Sequence, residues 1–474
     1  MGTLFGALNN SLSALEAFQN AMDVAQNNVS NASTPGYASQ TATFVADPLN
    51  LTGGLDGGVA SGPTQSTDSR YADQAVQTQM SLQGSFTAQS TALSSIQSLF
   101  DVTGQTGVIG ALNNLFQTFS AWATTPDSSS TQQNVLSQAS ALAQEFQSAA
   151  ASLSQTTGQV NRQIGSAVQQ INALAGQIAN DNAALSQSSP PDPGIQANLE
   201  SSLESLSQLA NTSVTFAANG AATVLLGGQT PLVIGNQQYS IQANFSGAGS
   251  GGNPNAVPDA QILDSNGTDI TSQISQGTLG GLLNVRNTVL PSLQGNSQQQ
   301  GALNILAQQV ADRVNQILTA GTTPGGAPGT ALFTYSSASP VDVAATLALN
   351  PAITASGLAP ANGSGGNGAA LQLSNLGDST ASGDEINGQT IVQYAASMAT
   401  QIGQQASDAQ TGQTLQTQLV SQAQAMQTQI SGVNLNAEAA LIMQLQQGYD
   451  AAGKVVTVIS SLATTLINMI PATG

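Results

Sequence analysis

Apolar residues recur every seven positions at both ends of this chain, and this repeat constrains its fold more than any other feature. In residues 432–470 two heptad positions are apolar and a third apolar position flanks them. One helix cannot bury so wide a stripe on itself, so the pattern predicts packing against more than one neighbour. The two positions hold Leu435, Ile442, Tyr449, Val456, Ala463 and Ile470, and Leu445, Ala452, Ile459 and Leu466; the flank is Leu441, Val455, Leu462 and Met469.

The N-terminal segment carries the same repeat, and the first proline after it is Pro35. We therefore expect the two termini to pair as helices roughly 45 to 60 Å long, at about 1.5 Å of rise per residue. We also expect their excess apolar surface to be buried between copies; a hairpin in the core of a monomer is the alternative. The predicted assembly interface is Leu8, Leu15, Met22, Val29, Leu435, Ile442, Leu445, Tyr449, Val456 and Ile459.

Charged side chains are scarce. Five Lys and Arg stand against 24 Asp and Glu, and charged residues make up 6% of the chain, compared with about 25% in ordinary soluble proteins. Such a chain cannot neutralise phosphates, so we expect no binding to nucleic acid or to a membrane surface. The absence of Cys and His removes thiol chemistry, the commonest general base and the commonest metal ligand. We expect no catalytic residue, no cofactor and no metal site.

Three local patterns were weighed as sites and interpreted as structural. Glu200 and Glu204 lie four residues apart and would share a helix face, which we interpret as a solvated face rather than a catalytic pair. Residues 264–269 have calcium-like spacing of oxygen ligands, but the Asn-Gly pair within them favours a hairpin turn. Residues 455–470 are uncharged but shorter than the ~20 residues of a membrane span.

The period of the apolar positions changes along the chain. It is helical from about residue 71 to 209 and alternates in residues 211–274, around an Asn-Gly turn. We predict a mainly α fold with a small β insertion, built from paired terminal helices, a long helical bundle and an antiparallel β domain. The predicted units are 1–65 (N-terminal helix and extended linker), 66–210 (long-helix bundle), 211–275 (small antiparallel β domain), 276–320 (helix returning to the bundle), 321–370 (mixed segment rich in Gly, Pro and Ala), 371–431 (helix of the bundle) and 432–474 (C-terminal helix).

A turn follows the first helix. Residues 27–37, NNVSNASTPGY, are dense in turn formers, and Pro35-Gly36 suits the centre of a type II turn. This segment resembles the signature of the flagellar axial proteins, the rod, hook and hook-associated family. Residues 431–438, SGVNLNAE, resemble the family's terminal motif, with Asn436 and Ala437 in place of the usual acids. The turn residues predicted to set the exit angle of the chain are Asn28, Asn31, Pro35, Gly36 and Tyr37.

Residues 279–291, LGGLLNVRNTVLP, resemble a segment of the proteins at the first hook–filament junction, with Asn287 replacing the usual Asp. The resemblance implies a structural, non-enzymatic protein that joins hook to filament. It also implies an extracellular location, reached through the flagellar type III apparatus without a cleaved signal peptide. The implied partners are a ring of the chain's own copies, the hook protein, the second junction protein and an export chaperone of the FlgN type.

Two alternatives remain open at this point. Another axial component, either the second junction protein or a hook protein, would be favoured if the resemblance of residues 279–315 were fortuitous. A secreted coiled-coil adhesin is the other alternative, because Gln-, Ser- and Thr-rich helical chains also occur in that class. A soluble monomer with ordered termini would favour the adhesin.

Overall fold

Long helices dominate the chain. The computed structural model describes residues 2–50, 55–100, 105–188, 191–246, 258–362 and 366–468, so Met469 and Ile470 of the predicted stripe lie outside the described residues. The helices are α1 (Gly2–Asn31), α2 (Arg70–Gln97), α3 (Gly107–Thr124), α4 (Ser129–Leu185), α5 (Pro193–Leu209), α6 (Gly277–Asn284), α7 (Leu290–Gln294), α8 (Ala302–Ala320), α9 (Val343–Thr346), α10 (Gly368–Asn375), α11 (Ile391–Ser431) and α12 (Leu435–Asn468).

The terminal helices α1 and α12 pack along each other, as the heptad repeats predict. The predicted fold class, mainly α with small antiparallel sheets, is confirmed. Helix α4 has 57 residues and would extend about 85 Å, which makes it the longest helix of the bundle. Helices α3 and α5 pack on α4, while α2 lies along α11 and against α5 and α6. Phe119, Trp122 and Phe146 are fully buried in the core between these helices.

The helix predicted for residues 276–320 is not continuous. A π-helical turn at Val285–Val289 separates α6 from α7, and residues 295–301 between α7 and α8 are not helical. Gly295 and Gly301 both have φ of 83°, and a Cβ on Gly301 would lie 2.1 Å from the Gly295 nitrogen. The two glycines therefore allow a tight connection that apolar periodicity does not reveal.

The helical unit predicted for residues 371–431 is also interrupted. Helix α10 ends at Asn375, and the chain is not helical again until Ile391 apart from a short 3-10 turn at Leu376–Asp378. Helix α11 then begins with a capping box, in which Thr390 and Gln393 each accept a bond from the other's backbone nitrogen. This cap fixes where the long helix starts.

Short antiparallel strands make up the β structure. The strands are β1 (Gln40–Thr41), β2 (Phe44–Asn50), β3 (Leu55–Ser61), β4 (Gln65–Ser66), β5 (Thr212–Phe216), β6 (Ala222–Leu226), β7 (Thr230–Ile234), β8 (Gln237–Gln238), β9 (Gln242–Asn244), β10 (Gln261–Leu263), β11 (Phe333–Thr334) and β12 (Ala348–Leu349). Strands β5 to β8 form one sheet in sequence order, with Gly220 at φ 84° in the predicted first turn. Alternate residues of β6 are buried, because one face of this sheet packs on α4.

Helix asparagines, rather than ion pairs, attach the strands and loops to the bundle. Among the described residues one ion pair forms, between Arg313 and Asp384. Five asparagine side chains instead each pair with the backbone of one other residue: the amide oxygen accepts from its N–H, and the amide nitrogen donates to its C=O. A neighbouring β-strand would make the same two bonds. The pairs are Asn28 with Gln40, Asn172 with Ile241, Asn182 with Ala222, Asn287 with Ala260, and Asn315 with Phe333.

Replacing Asn182 with Asp should therefore destabilise the protein. The Asn182 side chain accepts from the Ala222 N–H at 2.7 Å and donates to the carbonyls of Ala222 and Gly235 at 2.7 and 2.6 Å. A carboxylate keeps the first bond but cannot donate, and it buries a charge, so we expect Asn182→Asp to lower the free energy of unfolding by roughly 2–4 kcal/mol at pH 7. Chemical denaturation measures this change. The exposed Asn180→Asp on the same helix should cost less than about 0.5 kcal/mol; equal losses would contradict the role of the amide.

Candidate assembly site

Small residues let the two terminal helices approach closely. Ala17, Ala21 and Ala25 are buried on α1. On α12, Gly448 faces Phe18, and a Cβ there would lie 3.0 Å from the ring. This contact line between α1 and α12, which we call the seam, holds the helices together as an antiparallel pair within one chain.

The predicted interface residues are distributed between this seam and the surface. Leu445 and Ile459 are buried, at 5% and 8% exposure, and face α1 of the same chain. Val29 and Leu435 are exposed, at 39% and 52%. The remaining predicted residues are half-buried: Leu8, Leu15, Met22, Ile442, Tyr449 and Val456. Much of the predicted set thus contributes to pairing within the chain, and its contact with other copies stays a prediction.

A second line of apolar side chains on α12 remains uncovered in the chain. Leu441, Val455, Val458 and Leu462, which we call the outer flank, are between 41% and 57% exposed. Three of them belong to the flank recognised in the heptad pattern, although they are absent from the predicted interface. The repeat shows three apolar positions but not which of them faces the partner helix, so sequence could not separate seam from flank.

The turn motif is tied to both terminal helices through Asn28, which is 1% exposed. Its side-chain oxygen accepts from the Gln40 N–H at 2.9 Å and from the Tyr37 hydroxyl at 3.0 Å. Its amide nitrogen donates to the Gln40 carbonyl at 2.8 Å and to Glu438 Oε1 on α12 at 3.0 Å. Burial and, secondarily, the nearby Glu438 raise the pKa of Tyr37. The motif is therefore joined to α12 as well as to α1.

The rest of the motif forms the predicted turn. Tyr37 N–H donates to the Thr34 carbonyl at 3.2 Å, and Gly36 has φ of 74°, as the third position of a type II turn requires. A Cβ on Gly36 would lie 2.4 Å from the Ala197 carbonyl oxygen, so the turn sits against α5. Asn31 is half-buried and bonds locally to the Asn27 carbonyl, while Pro35 is exposed.

Close by, the chain re-enters the bundle beside the start of α12. Ser39 N–H donates to the Ser431 carbonyl at 2.8 Å, which links the two connections between the terminal helices and the bundle. Asn434 caps α12 by accepting from the backbone nitrogens of Asn436 and Ala437 at 3.1 and 3.2 Å. The departures at Asn436 and Ala437 from the usual acids therefore leave the helix cap in place.

Next to these connections lies a cluster of carboxyl groups that the sequence did not reveal. Glu200 and Glu204 were predicted to form a solvated face; this was wrong, because Glu200 bonds to Gln77 of α2 and Glu204 bonds to Gln427 of α11. The Gln427 amide donates to Asp73 Oδ1 at 2.8 Å and to Glu204 Oε1 at 3.0 Å, and Gln77 donates to Glu200 Oε1 at 3.0 Å. Helix periodicity places Glu200 and Glu204 side by side but gives no sign of Asp73, over a hundred residues earlier.

Burial raises the pKa values of all three carboxyl groups. Desolvation raises the pKa of Asp73 to about 7; the bond from Gln427 lowers this pKa, and the neighbouring Asp68 and Glu204 raise it further. Desolvation and the charge of Asp73 raise the pKa of Glu200 to about 8, and desolvation raises that of Glu204. The cluster is thus partly protonated near neutrality.

Neither metal chemistry nor a membrane helix is apparent in the described ranges. They contain no group of three or more acidic side chains placed to hold a metal ion. In the calcium-like segment, Asp264 accepts from the backbone nitrogens of Asn266 and Thr268, both at 2.8 Å, and so closes a turn. No helix within those ranges is long and apolar enough to cross a bilayer.

Loss of the Asn28 amide should loosen the terminal helices. Asn28→Ala leaves the Gln40 N–H, the Tyr37 hydroxyl and Glu438 without this partner, which we expect to cost roughly 2–4 kcal/mol locally. Hydrogen exchange should then speed up about tenfold or more in α1 and α12 while the bundle core stays protected. The exposed Asn20→Ala on α1 is the control and should exchange like the unmodified chain. Unchanged protection in Asn28→Ala would contradict this role.

The carboxyl cluster predicts a fall in stability with rising pH. Asp73 and Glu200 ionise near pH 4 when unfolded but hold their protons to about 7 and 8 when folded. The loss of folding stability that these two groups cause is therefore absent below pH 4, grows as the pH rises, and reaches its full size above about pH 8. Asp73→Asn combined with Glu200→Gln should make the protein more stable than the unmodified chain by roughly 2–4 kcal/mol at pH 8, with no gain at pH 4. Denaturation midpoints across this range measure the difference, and Asp127→Asn, at an exposed site, should give a flat difference.

Comparison with known proteins agrees with this architecture. The family model "Flagellar hook-associated protein FlgK helical domain" matches residues 93–333, half of the chain. The model "Flagella basal body rod protein" matches residues 8–37, which end at the turn motif. The FlgK hook junction protein of Burkholderia pseudomallei has a similar fold, with a TM-score of 0.62 at 18% identity, over 76% of this chain and 100% of that one.

Two relatives extend the comparison. Flagellar hook-associated protein 1 of Salmonella typhimurium is 26% identical over 341 residues, covering 70% of this chain and 59% of that protein. The protein of the same name from Bacillus subtilis is 22% identical over 514 aligned positions, covering 99% of both chains. The chain thus spans 59% of the Salmonella relative but nearly all of the Bacillus one. Since the helical-domain model covers half of its length, this chain belongs to the flagellar hook-associated protein FlgK family.

Proposed function

We propose that this chain is a structural subunit that joins the hook of the bacterial flagellum to its filament. The observation that carries the proposal is the outer flank, an apolar line left exposed on a helix already paired with α1. Membership of the hook-associated family supports it, as does the printed description of the Burkholderia protein as a hook junction protein. The role is structural rather than catalytic.

In this proposal the α1–α12 pair is the unit of assembly. The seam holds the two helices together, and the outer flank packs against the neighbouring copy in a ring. Burying the exposed half of four aliphatic side chains would contribute roughly 3–6 kcal/mol per subunit, before the cost of ordering them. Val29 and Leu435 of the predicted interface, both exposed, would join this surface. Leu445 and Ile459 would act indirectly, by keeping the pair intact.

The scarcity of charge suits such packing. Gln, Ser and Thr dominate the polar surface, and these groups stay solvated without repelling an identical neighbour. On α12 the described residues carry three ionisable acids or bases other than the tyrosine: Glu438, Asp450 and Lys454. A tube of closely packed copies of this helix would therefore bring few like charges together.

The partners and the location follow from family resemblance. We infer that the chain contacts the hook protein on one side and the second junction protein on the other, outside the cell. Export would run through the flagellar type III apparatus. An export chaperone of the FlgN type would cover the C-terminal helix beforehand, since the uncovered outer flank is a surface prone to association.

Complementation of a deletion strain tests the proposal. Without the gene, cells should carry bare hooks and lose flagellin to the medium, and the unmodified gene should restore filaments. Val455→Asp places a charge in the outer flank at a side chain already 48% exposed, so the chain should fold but restore few or no filaments. Gln446→Asp, at an exposed polar site of the same helix, should restore them.

Electron microscopy and a flagellin assay of the medium give the readout. Normal filaments in the deletion strain would contradict the proposal and favour the adhesin alternative, and missing hooks would favour a rod or hook role. Full complementation by Val455→Asp would contradict the outer flank as the assembly surface. The thermal transition of each purified variant shows that the bundle has remained folded.

A further inference from the structure

Strand β5 has an open edge. The sheet runs β5, β6, β7, β8, so β5 pairs on one side with β6 and has no strand on the other. The bonds from Gly227 N–H to the Asn211 carbonyl and from Ala217 N–H to the Ala221 carbonyl fix the register. By the alternation of an antiparallel ladder, the backbone groups of Thr212, Val214 and Phe216 point away from β6. Within the described part of the chain these outward groups have no hydrogen-bond partner.

The open edge forms one wall of a groove. Polar side chains of α2, among them Gln74, Gln77 and Thr78, form the opposite wall, and the space between has a volume of about 560 Å³. A strand edge is normally blocked by a charge, a proline or a covering element. Here the cavity, rather than a covering element, lies between β5 and α2.

This groove continues to the carboxyl cluster. At its end the Arg70 guanidinium lies 3.9 Å above the Phe216 ring, and both residues also line a second cavity of about 260 Å³. A third cavity of about 410 Å³ shares Asp68 and Glu200 with the second and Asp73 with the first. We call the three adjoining cavities the edge groove.

The acidic end of the edge groove contains an unused polar group. Ser431 is 6% exposed, its hydroxyl has no hydrogen-bond partner, and it lines the same cavity as Glu200 and Glu204. Four carboxyl groups face this end, namely those of Asp68, Asp73, Glu200 and Glu204, against the single cation of Arg70. A donor with a positive charge would satisfy the hydroxyl and the carboxylates together.

We propose that the edge groove binds an extended basic segment of another polypeptide. The segment would pair with β5 as an additional strand and place a Lys or Arg side chain among the four carboxyl groups. A second copy of this chain fits poorly, because the whole sequence has five basic residues. No residue of the outer flank lines the groove, so this inference goes beyond the junction role.

Proton release would accompany binding. The titratable groups facing the cluster are Asp68 just before α2, Arg70 and Asp73 on α2, Glu200 and Glu204 on α5, and Tyr37 of the turn motif, while α11 contributes the neutral Gln427. A cation stabilises the ionised carboxylates, so binding must be tighter where they are already ionised. Affinity should therefore rise from pH 6 to pH 8.

Fluorescence anisotropy with the full chain tests the proposal. The probe is a fluorescein-labelled eight-residue peptide of alternating Lys and Thr, in low salt. We expect saturable binding, tightening at least threefold from pH 6 to pH 8. A peptide with Pro at each Thr position keeps the charge but cannot pair as a strand, and should bind at least tenfold more weakly.

Variants of the chain separate strand pairing from charge. Val214→Pro removes an outward-facing N–H and leaves the bonds to β6, so it should weaken binding tenfold or more, whereas Val214→Ala should change it less than twofold. Asp73→Asn with Glu200→Gln should also weaken binding and remove its pH dependence, while the distant Asp127→Asn should not. Circular dichroism confirms that Val214→Pro is folded, and the Lys–Pro peptide provides the same test without altering the chain.

The proposal would be overturned by no saturable binding, by equal binding of the Lys–Thr and Lys–Pro peptides, or by an equal loss in Asp127→Asn. Self-association that Val214→Pro abolishes would also overturn it, by assigning the groove to a second copy. None of these results bears on filament formation in the complemented strain, so the junction proposal stands or fails separately.

Discussion

The pairing of a buried asparagine with the backbone of one residue is the interaction on which much of this structure depends. A chain with so few charges cannot anchor its loops with ion pairs, and its strands are too short to hold themselves in place. An amide that both donates and accepts fixes distance and register without burying a charge. This explains why Asn287 serves where relatives are expected to have Asp: it bonds to both the N–H and the C=O of Ala260, at 2.8 Å each, and a carboxylate would make one of those bonds.

Asn28 makes the same kind of pairing where the terminal helices join the bundle. The terminal helices connect to the bundle through residues 32–69 and 432–434, and the bond between Ser39 and Ser431 ties these two connections together. Through Gln40 and Glu438, Asn28 then fixes the turn to α12 as well as to α1. We propose that these few buried polar contacts set the direction in which the α1–α12 pair leaves the bundle.

Sequence predicted the part of this fold that depends on local periodicity. Heptad repeats indicated the paired termini, and the Asn-Gly pair at residues 219–220 indicated the first turn of the sheet. What it missed depends on distant contacts. Leu445 and Leu441 are equally apolar, and only the packing of α1 shows that the first is buried and the second exposed. Glu200 and Glu204 have the spacing of a solvated face, and only the position of Asp73 makes them a cluster. Gly295 and Gly301 broke a helix whose apolar pattern was unbroken.

The carboxyl cluster is a place where burial carries a cost that the surrounding described residues do not relieve. Groups that must stay protonated near neutral pH lower the stability of the isolated protein, and the neighbouring Ser431 hydroxyl is buried without a partner. Elsewhere asparagines pair with backbone groups of the strands and loops, so the chain has the means to satisfy such a site, although other buried atoms, among them Arg286 Nη1 and Asp181 Oδ2, also lack a partner. A cluster left unrelieved beside an open strand edge, where the terminal helices join the bundle, fits the proposed bound state, in which a partner supplies the missing donors.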